Sequence, residues 1–157
     1  MKTTILIADD HQVVAEGIAQ IIEKNSIAEV KAITHTLDET VLKVKLLQPD
    51  ILLLDISMPD GDGIEAIPLI TKACPSIRII MLTYFAEAAV IQRSMENGAW
   101  GYLLKSTNTE ELLLGIQTVA DATLHRSGRC HDSSESQGRQ THPRALLRPH
   151  RGSFALP

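Results

Sequence analysis

Asp9-Asp10, Asp55, Thr83 and Lys105 are the residues of this chain whose types and spacing suit chemistry. Asp55 closes the run Ile51-Leu52-Leu53-Leu54, and Pro59, Asp60 and Gly61 reverse the chain just behind it. A carboxylate so placed is a nucleophile, a metal ligand or both; the plainer reading is a turn or helix-capping aspartate. Crowded carboxylates repel one another and raise at least one pKa unless a cation joins them. Mg²⁺ suits such a group, because it takes hard oxygen ligands and keeps water positions open to a phosphate oxygen. Carboxylates, a metal site, the Thr83 hydroxyl and the Lys105 ammonium together suit phosphoryl transfer to Asp55, which needs positioning and charge neutralisation. Singly, Lys105 reads as a solvated cation and Thr83 as the end of a strand. No Cys/His cluster has zinc spacing, and His11 is expected to cap or line the first helix rather than bind metal.

Positioning these groups is a task for the elements around them. Four large apolar residues in a row predict a strand buried on both faces, as in a parallel sheet covered by helices. Strands are predicted at residues 3–8, 28–33, 50–56, 77–83 and 100–104. Helical periodicity runs from Val13 to Ile22. A second helix begins at Leu37 and stops before Pro49. Further helices are predicted over 63–74, over 86–97 and from Asn108 or Thr109 to Val119 or beyond. Pro68 is tolerable in the third only near its first turn or as a kink, and Gly98 closes the fourth. Strand and helix alternate five times, which predicts an α/β, doubly wound, five-stranded parallel sheet with helices on both faces. In such a sheet the carboxyl ends of the strands share one edge, where ligands bind. The acidic pair, Asp55, Thr83 and Lys105 would all meet there.

Composition narrows the field. The 157 residues allow one domain and part of a second. Residues 1–125 hold nine Lys/Arg against seventeen Asp/Glu, a net −8 that argues against nonspecific nucleic-acid binding by this part. Residues 126–157 hold six Arg and two acids, a net +4, with three prolines and few large apolar residues. They are expected to form a basic, disordered tail: a truncated segment, a linker or an out-of-frame remnant. Two cysteines, no signal peptide and no membrane-length apolar run predict a cytoplasmic protein without a membrane partner.

With Asp9-Asp10, Asp55 followed by Pro59 and Gly61, Thr83, Tyr102 and Lys105 assembled, residues 3–124 resemble the response-regulator receiver domain of bacterial two-component signalling. The resemblance implies a flavodoxin-like fold with strand order 2-1-3-4-5. It implies that Asp55 accepts the phosphoryl group and that Asp10, Asp55 and the Ser57 backbone carbonyl hold Mg²⁺. Asp9 would act on the metal through water. Thr83 and Tyr102 would form a switch pair. A sensor histidine kinase is the implied donor, a homodimer is possible, and regulation of transcription is the implied outcome. The Ala8-Asp9-Asp10-His11 start and residues 98–106 are similar to the subfamily with a LuxR/NarL-type helix-turn-helix output domain. Such a domain needs about 60 residues with amphipathic helices, and residues 126–157 offer neither. DNA contact would therefore need an output domain not evident in this chain.

Two departures from the family pattern stand out. Ser106 follows Lys105 where proline is common, which leaves the cis or trans state of that bond open. Tyr84 and Phe85 put bulk directly after Thr83, which either shields an acyl phosphate or is ordinary loop packing. The alternative function is a Mg²⁺-dependent phosphohydrolase of the haloacid-dehalogenase type with Asp55 as nucleophile. That chemistry wants a second aspartate two residues later as general acid, and the residue there is Ser57. A flavin or nucleotide binder is disfavoured, since Asp9-Asp10 stands where a phosphate loop would be needed.

Overall fold

The computed structural model describes residues 2–127 and 146–147. Strand β1 (Thr4–Ala8) leads to α1 (Gln12–Lys24), β2 (Glu29–Thr34), α2 (Leu37–Leu47) and β3 (Ile51–Asp55). A short hairpin, β4 (Ser57–Met58) with β5 (Gly61–Asp62), follows. The chain continues through α3 (Gly63–Ala73), β6 (Arg78–Thr83), α4 (Ala88–Glu96), β7 (Gly101–Leu104) and α5 (Thr109–Ser127). The main sheet has the order β2-β1-β3-β6-β7-β8, its first five strands parallel. Counting only those five in chain order, this is the expected 2-1-3-4-5. Beyond them, β8 (Leu146–Leu147) pairs antiparallel with β7, an edge partner the sequence reading did not anticipate. Otherwise, the expectation for the tail falls outside the described residues.

Alternation along the strands builds two cores. Ile5, Ile7, Leu53, Ile80 and Leu82 face one side, packed with Ile18 and Ile22 of α1 and Leu112 and Ile116 of α5. Leu6, Ala8, Leu52, Leu54 and Met81 face the other, with Val44 of α2 and Ile64, Ile67 and Ile70 of α3. All five residues of β3 are buried, which is why its sequence is apolar without alternation. Edge strand β2 alternates instead. Arg78 is the exception in buried β6. Its guanidinium lies 3.7 Å from the centroid of the Trp100 ring, within cation–π range. It also donates to the Ala122 carbonyl at 3.2 Å, tying α5 to the sheet.

Helix starts are held by side chains near the site. Thr36 Oγ1 accepts from the Glu39 amide at 3.2 Å. The Glu39 carboxylate accepts from the His35 amide at 3.2 Å, an arrangement close to a capping box. Asp60, in the turn behind Asp55, accepts from the Leu37 and Asp38 amides at 2.7 and 3.0 Å. These two bonds, Leu37 first, hold its carboxyl below the usual range. Pro68 sits in the second turn of α3, deeper than expected. There its missing N–H forfeits only the bond to the Ile64 carbonyl. Gly98 follows α4 at φ +110°, as its C-terminal role requires. Among the described residues no helix is long and apolar enough to cross a membrane.

Candidate functional site

Parallel pairing brings the carboxyl ends of β1, β3, β6 and β7 to one edge, with Ala8 beside Leu54, Asp55 beside Leu82 and Thr83 beside Leu104. Asp9 and Asp10 directly follow β1, Asp55 and Thr83 end their strands, and Lys105 directly follows β7. Lys105 Nζ reaches Asp9 Oδ2 at 2.8 Å and Asp55 Oδ2 at 3.0 Å. The side chains of Asp9, Asp55 and Lys105 are 0%, 6% and 1% exposed. Two buried carboxylates therefore share one ammonium, leaving the trio one negative charge in excess.

Burial pushes the Asp55 carboxyl up to about 6; Lys105 opposes this and the Asp9 charge adds to it, as desolvation and a like charge both disfavour ionisation. Burial by itself would lower the Lys105 pKa, but contact with Asp9 and Asp55 holds it above its ordinary value. Asp9 Oδ2, though within ion-pair distance of Lys105, has no hydrogen bond of acceptable geometry. The excess negative charge left on these buried carboxylates fits a divalent cation. The donor set fits as well: ligand atoms of Asp9, Asp10, His11 and Asp55 all lie within 4.8 Å of one another. Ser57 lies in β4 and gives its amide to Asp55 Oδ1 at 3.3 Å.

From the sequence, His11 is expected to cap or line the first helix. It holds the N-cap position of α1, but its side chain makes no capping bond. The imidazole turns back instead, with Nδ1 at 3.0 Å from Asp10 Oδ1 and 3.3 Å from Asp9 Oδ1. His35, which the sequence reading passed over, has Nδ1 at 2.8 Å from the Asp9 carbonyl oxygen and so fastens the loop after β1 to that after β2.

The aromatic residues form a second layer. Tyr102 is buried, and its hydroxyl donates to the Phe85 carbonyl. The Phe85 amide in turn donates to Thr83 Oγ1 at 3.2 Å, linking the two expected switch residues through one peptide segment. Burial raises the Tyr102 pKa, so the phenol stays protonated as a donor. The Tyr84 ring lies 5.2 Å from Lys105 Nζ, while Tyr84 and Phe85 themselves are more than half exposed. No cis peptide occurs among the described residues, so Lys105–Ser106 is trans.

Gly63 is a further residue the sequence reading missed. The hairpin after Asp55 folds the start of α3 against the end of β3, and the Gly63 amide donates to the Ile56 carbonyl at 2.7 Å. A Cβ at this position would lie 2.2 Å from the Asp55 carbonyl oxygen, a backbone atom. Gly63→Ala is therefore expected to cost about 1–3 kcal/mol, as overpacking does. Urea unfolding of the two proteins measures it, and an unchanged midpoint would mean that the loop yields freely.

Residues 5–117 match the family model described as "Response regulator receiver domain". This chain belongs to that family. It is 39% identical over 115 residues to the transcriptional regulatory protein LnrK of Bacillus subtilis, covering 73% of this chain and 52% of that protein. It is 40% identical over 116 residues to the oxygen regulatory protein NreC of Staphylococcus aureus, covering 73% and 54%. The chain thus spans about half the length of these curated relatives. Among solved structures, a LuxR-family two-component response regulator from Aurantimonas sp. superposes with a TM-score of 0.73 at 30% identity, covering 78% of this chain and 87% of that one. The CheY-like receiver domain protein of Methanospirillum hungatei gives 0.73 at 29% identity, covering 82% and 100%.

Proposed function

We propose that this chain is a phospho-accepting signalling switch, in which Asp55 receives a phosphoryl group from a sensor histidine kinase. The single observation that carries this reading is Lys105 Nζ bridging the buried Asp9 and Asp55 carboxylates at 2.8 and 3.0 Å. An Asp55 carboxylate oxygen forms a P–O bond as the donor's bond to phosphorus breaks, giving an acyl phosphate. Asp10, Asp55 and the Ser57 carbonyl would hold Mg²⁺, with Asp9 acting through water. When bound, that ion neutralises charge developing on the phosphoryl oxygens.

The chain's own residues do the rest. Lys105 leaves its pairing with Asp55 for a phosphoryl oxygen, and the Thr83 hydroxyl donates to another. Since Thr83 Oγ1 accepts from the Phe85 amide and Phe85 accepts from Tyr102, a move of Thr83 disturbs the segment that holds the Tyr102 hydroxyl. Phosphorylation in this way biases the surface of α4, β7 and α5 between two states. That surface governs dimerisation or output, and DNA is reached through an output domain. The names of LnrK and NreC, a transcriptional and an oxygen regulatory protein, support transcription regulation as the outcome.

Intact-mass spectrometry after incubation with acetyl phosphate and Mg²⁺ tests the reading. One added phosphoryl group is expected on the parent and none on Asp55→Ala; equal uptake by both would sink it. Continuous phosphate release without accumulation would favour the phosphohydrolase. The Tyr84 ring over Lys105 leads to a further expectation. A cation–π contact of about 0.5–1 kcal/mol that also covers the anhydride makes Tyr84→Ala dephosphorylate about two- to fivefold faster. Following the phosphorylated mass with time checks this, and an unchanged rate leaves Tyr84 as ordinary loop packing.

A further inference from the structure

We infer that His11 is a nitrogen donor to the acidic site and gives it a preference for first-row transition-metal ions over Mg²⁺. The inference rests on the reading above that Asp9, Asp10 and Asp55 surround a divalent cation. A helix-capping histidine would turn toward the free amides of its helix, and the His11 side chain makes no such bond. It faces the carboxylates instead, its Nδ1 3.0 Å from Asp10 Oδ1 and 3.3 Å from Asp9 Oδ1. Neighbouring donors on a small octahedral ion, each about 2.1 Å from it, stand about 3.0 Å apart, and opposite ones about 4.2 Å. The Nδ1–Oδ1 separations, which are those of an ion pair or hydrogen bond, also have the length of a coordination edge, and all four donor atoms fall within 4.8 Å of one another. Independently of His11, the buried Asp9 and Asp55 carboxylates share the single Lys105 ammonium, which leaves one negative charge unneutralised.

The chemistry of the imidazole donor sets the selectivity. An imidazole nitrogen adds no charge, so it does little for Mg²⁺, which favours hard oxygen and retains water. Co²⁺ stands well up the Irving–Williams series and accepts imidazole readily. Adding one nitrogen to the oxygen donors thus strengthens Co²⁺ binding while leaving Mg²⁺ almost untouched.

Calorimetric titration of the whole chain with CoCl₂ and separately with MgCl₂ tests the inference on the parent, His11→Ala, His11→Gln and Asp10→Asn. Histidines at 35, 125, 131, 142 and 150 can also take Co²⁺, so the relevant Co²⁺ class is the one that Asp10→Asn removes. Both His11 variants are expected to weaken that class about tenfold while changing Mg²⁺ affinity less than about twofold. His11 is 61% exposed, and an unchanged melting temperature of the ion-free variants shows that the fold is intact. Equal weakening of both ions, or of neither, overturns the role of His11 and leaves the cation site standing. A parent that binds neither ion in a class sensitive to Asp10→Asn overturns the site as well.

Discussion

Replacing Lys105 with alanine is expected to lower the stability of the ion-free protein by about 3–5 kcal/mol near neutral pH, the usual result of removing one partner of a buried ion pair. The Lys105 side chain is 1% exposed and holds Asp9 and Asp55 at 2.8 and 3.0 Å. Without it two buried carboxylates face each other with no cation. Two conditions should restore much of the loss. Acid does so because protonation of Asp55 removes one of the charges, and Mg²⁺ does so by standing in for the ammonium. Urea unfolding of parent and variant near pH 7.5 and pH 5, with and without MgCl₂, measures all three effects. A loss equal at both pH values and indifferent to Mg²⁺ would mean that Lys105 acts by packing rather than charge.

The opposite sign is expected for Asp55→Asn. Folding pushes the Asp55 carboxyl from 3.8 to about 6, with burial as the main cause. The folded state thus binds the proton more tightly than the unfolded chain does. The contribution of this group to stability is therefore greatest below about pH 4 and is lost as pH rises through 6. Above that pH the charged side chain destabilises the fold by an amount approaching about 3 kcal/mol at 1.36 kcal/mol per pKa unit. Asparagine has no charge to bury and leaves Lys105 and Asp9 as a one-to-one pair. Asp55→Asn should hence be about 2–3 kcal/mol more stable than the parent near neutral pH. The gain should shrink toward zero on acidification through the window from 6 to 4. Denaturation midpoints of the two proteins across that range decide the matter; a difference independent of pH would remove the charge explanation. If Asp55 is the phospho-acceptor proposed above, it must be ionised in a place that disfavours ionisation.

Much of this was legible in one dimension. Periodicity and apolar runs located all five parallel strands and five helices, because burial on one face or two imposes a pattern on neighbouring residues whatever they pack against. The run Ile51 to Leu54 reads as a doubly covered strand, and β3 is buried throughout. Once parallel strands are granted, their shared edge follows, and with it the meeting of Asp9, Asp10, Asp55, Thr83 and Lys105. Residues whose role depends on a single close approach left no such trace. Gly63 reads as no more than the first residue of a helix until its missing Cβ is placed 2.2 Å from the Asp55 carbonyl oxygen. His11 and His35 flank the acidic loop with no periodicity to mark them.

The residue types and their order along the chain thus determined the architecture, the edge on which chemistry gathers and the side chains present there, because patterns of burial are local. Tertiary structure alone decided which charges neutralise which: that Lys105 reaches across 50 residues to Asp55, that His11 faces the carboxylates rather than its own helix, and that Thr83 and Tyr102 meet through Phe85. Electrostatic and hydrogen-bond partners are chosen at about 3 Å, a distance at which separation along the chain carries no information.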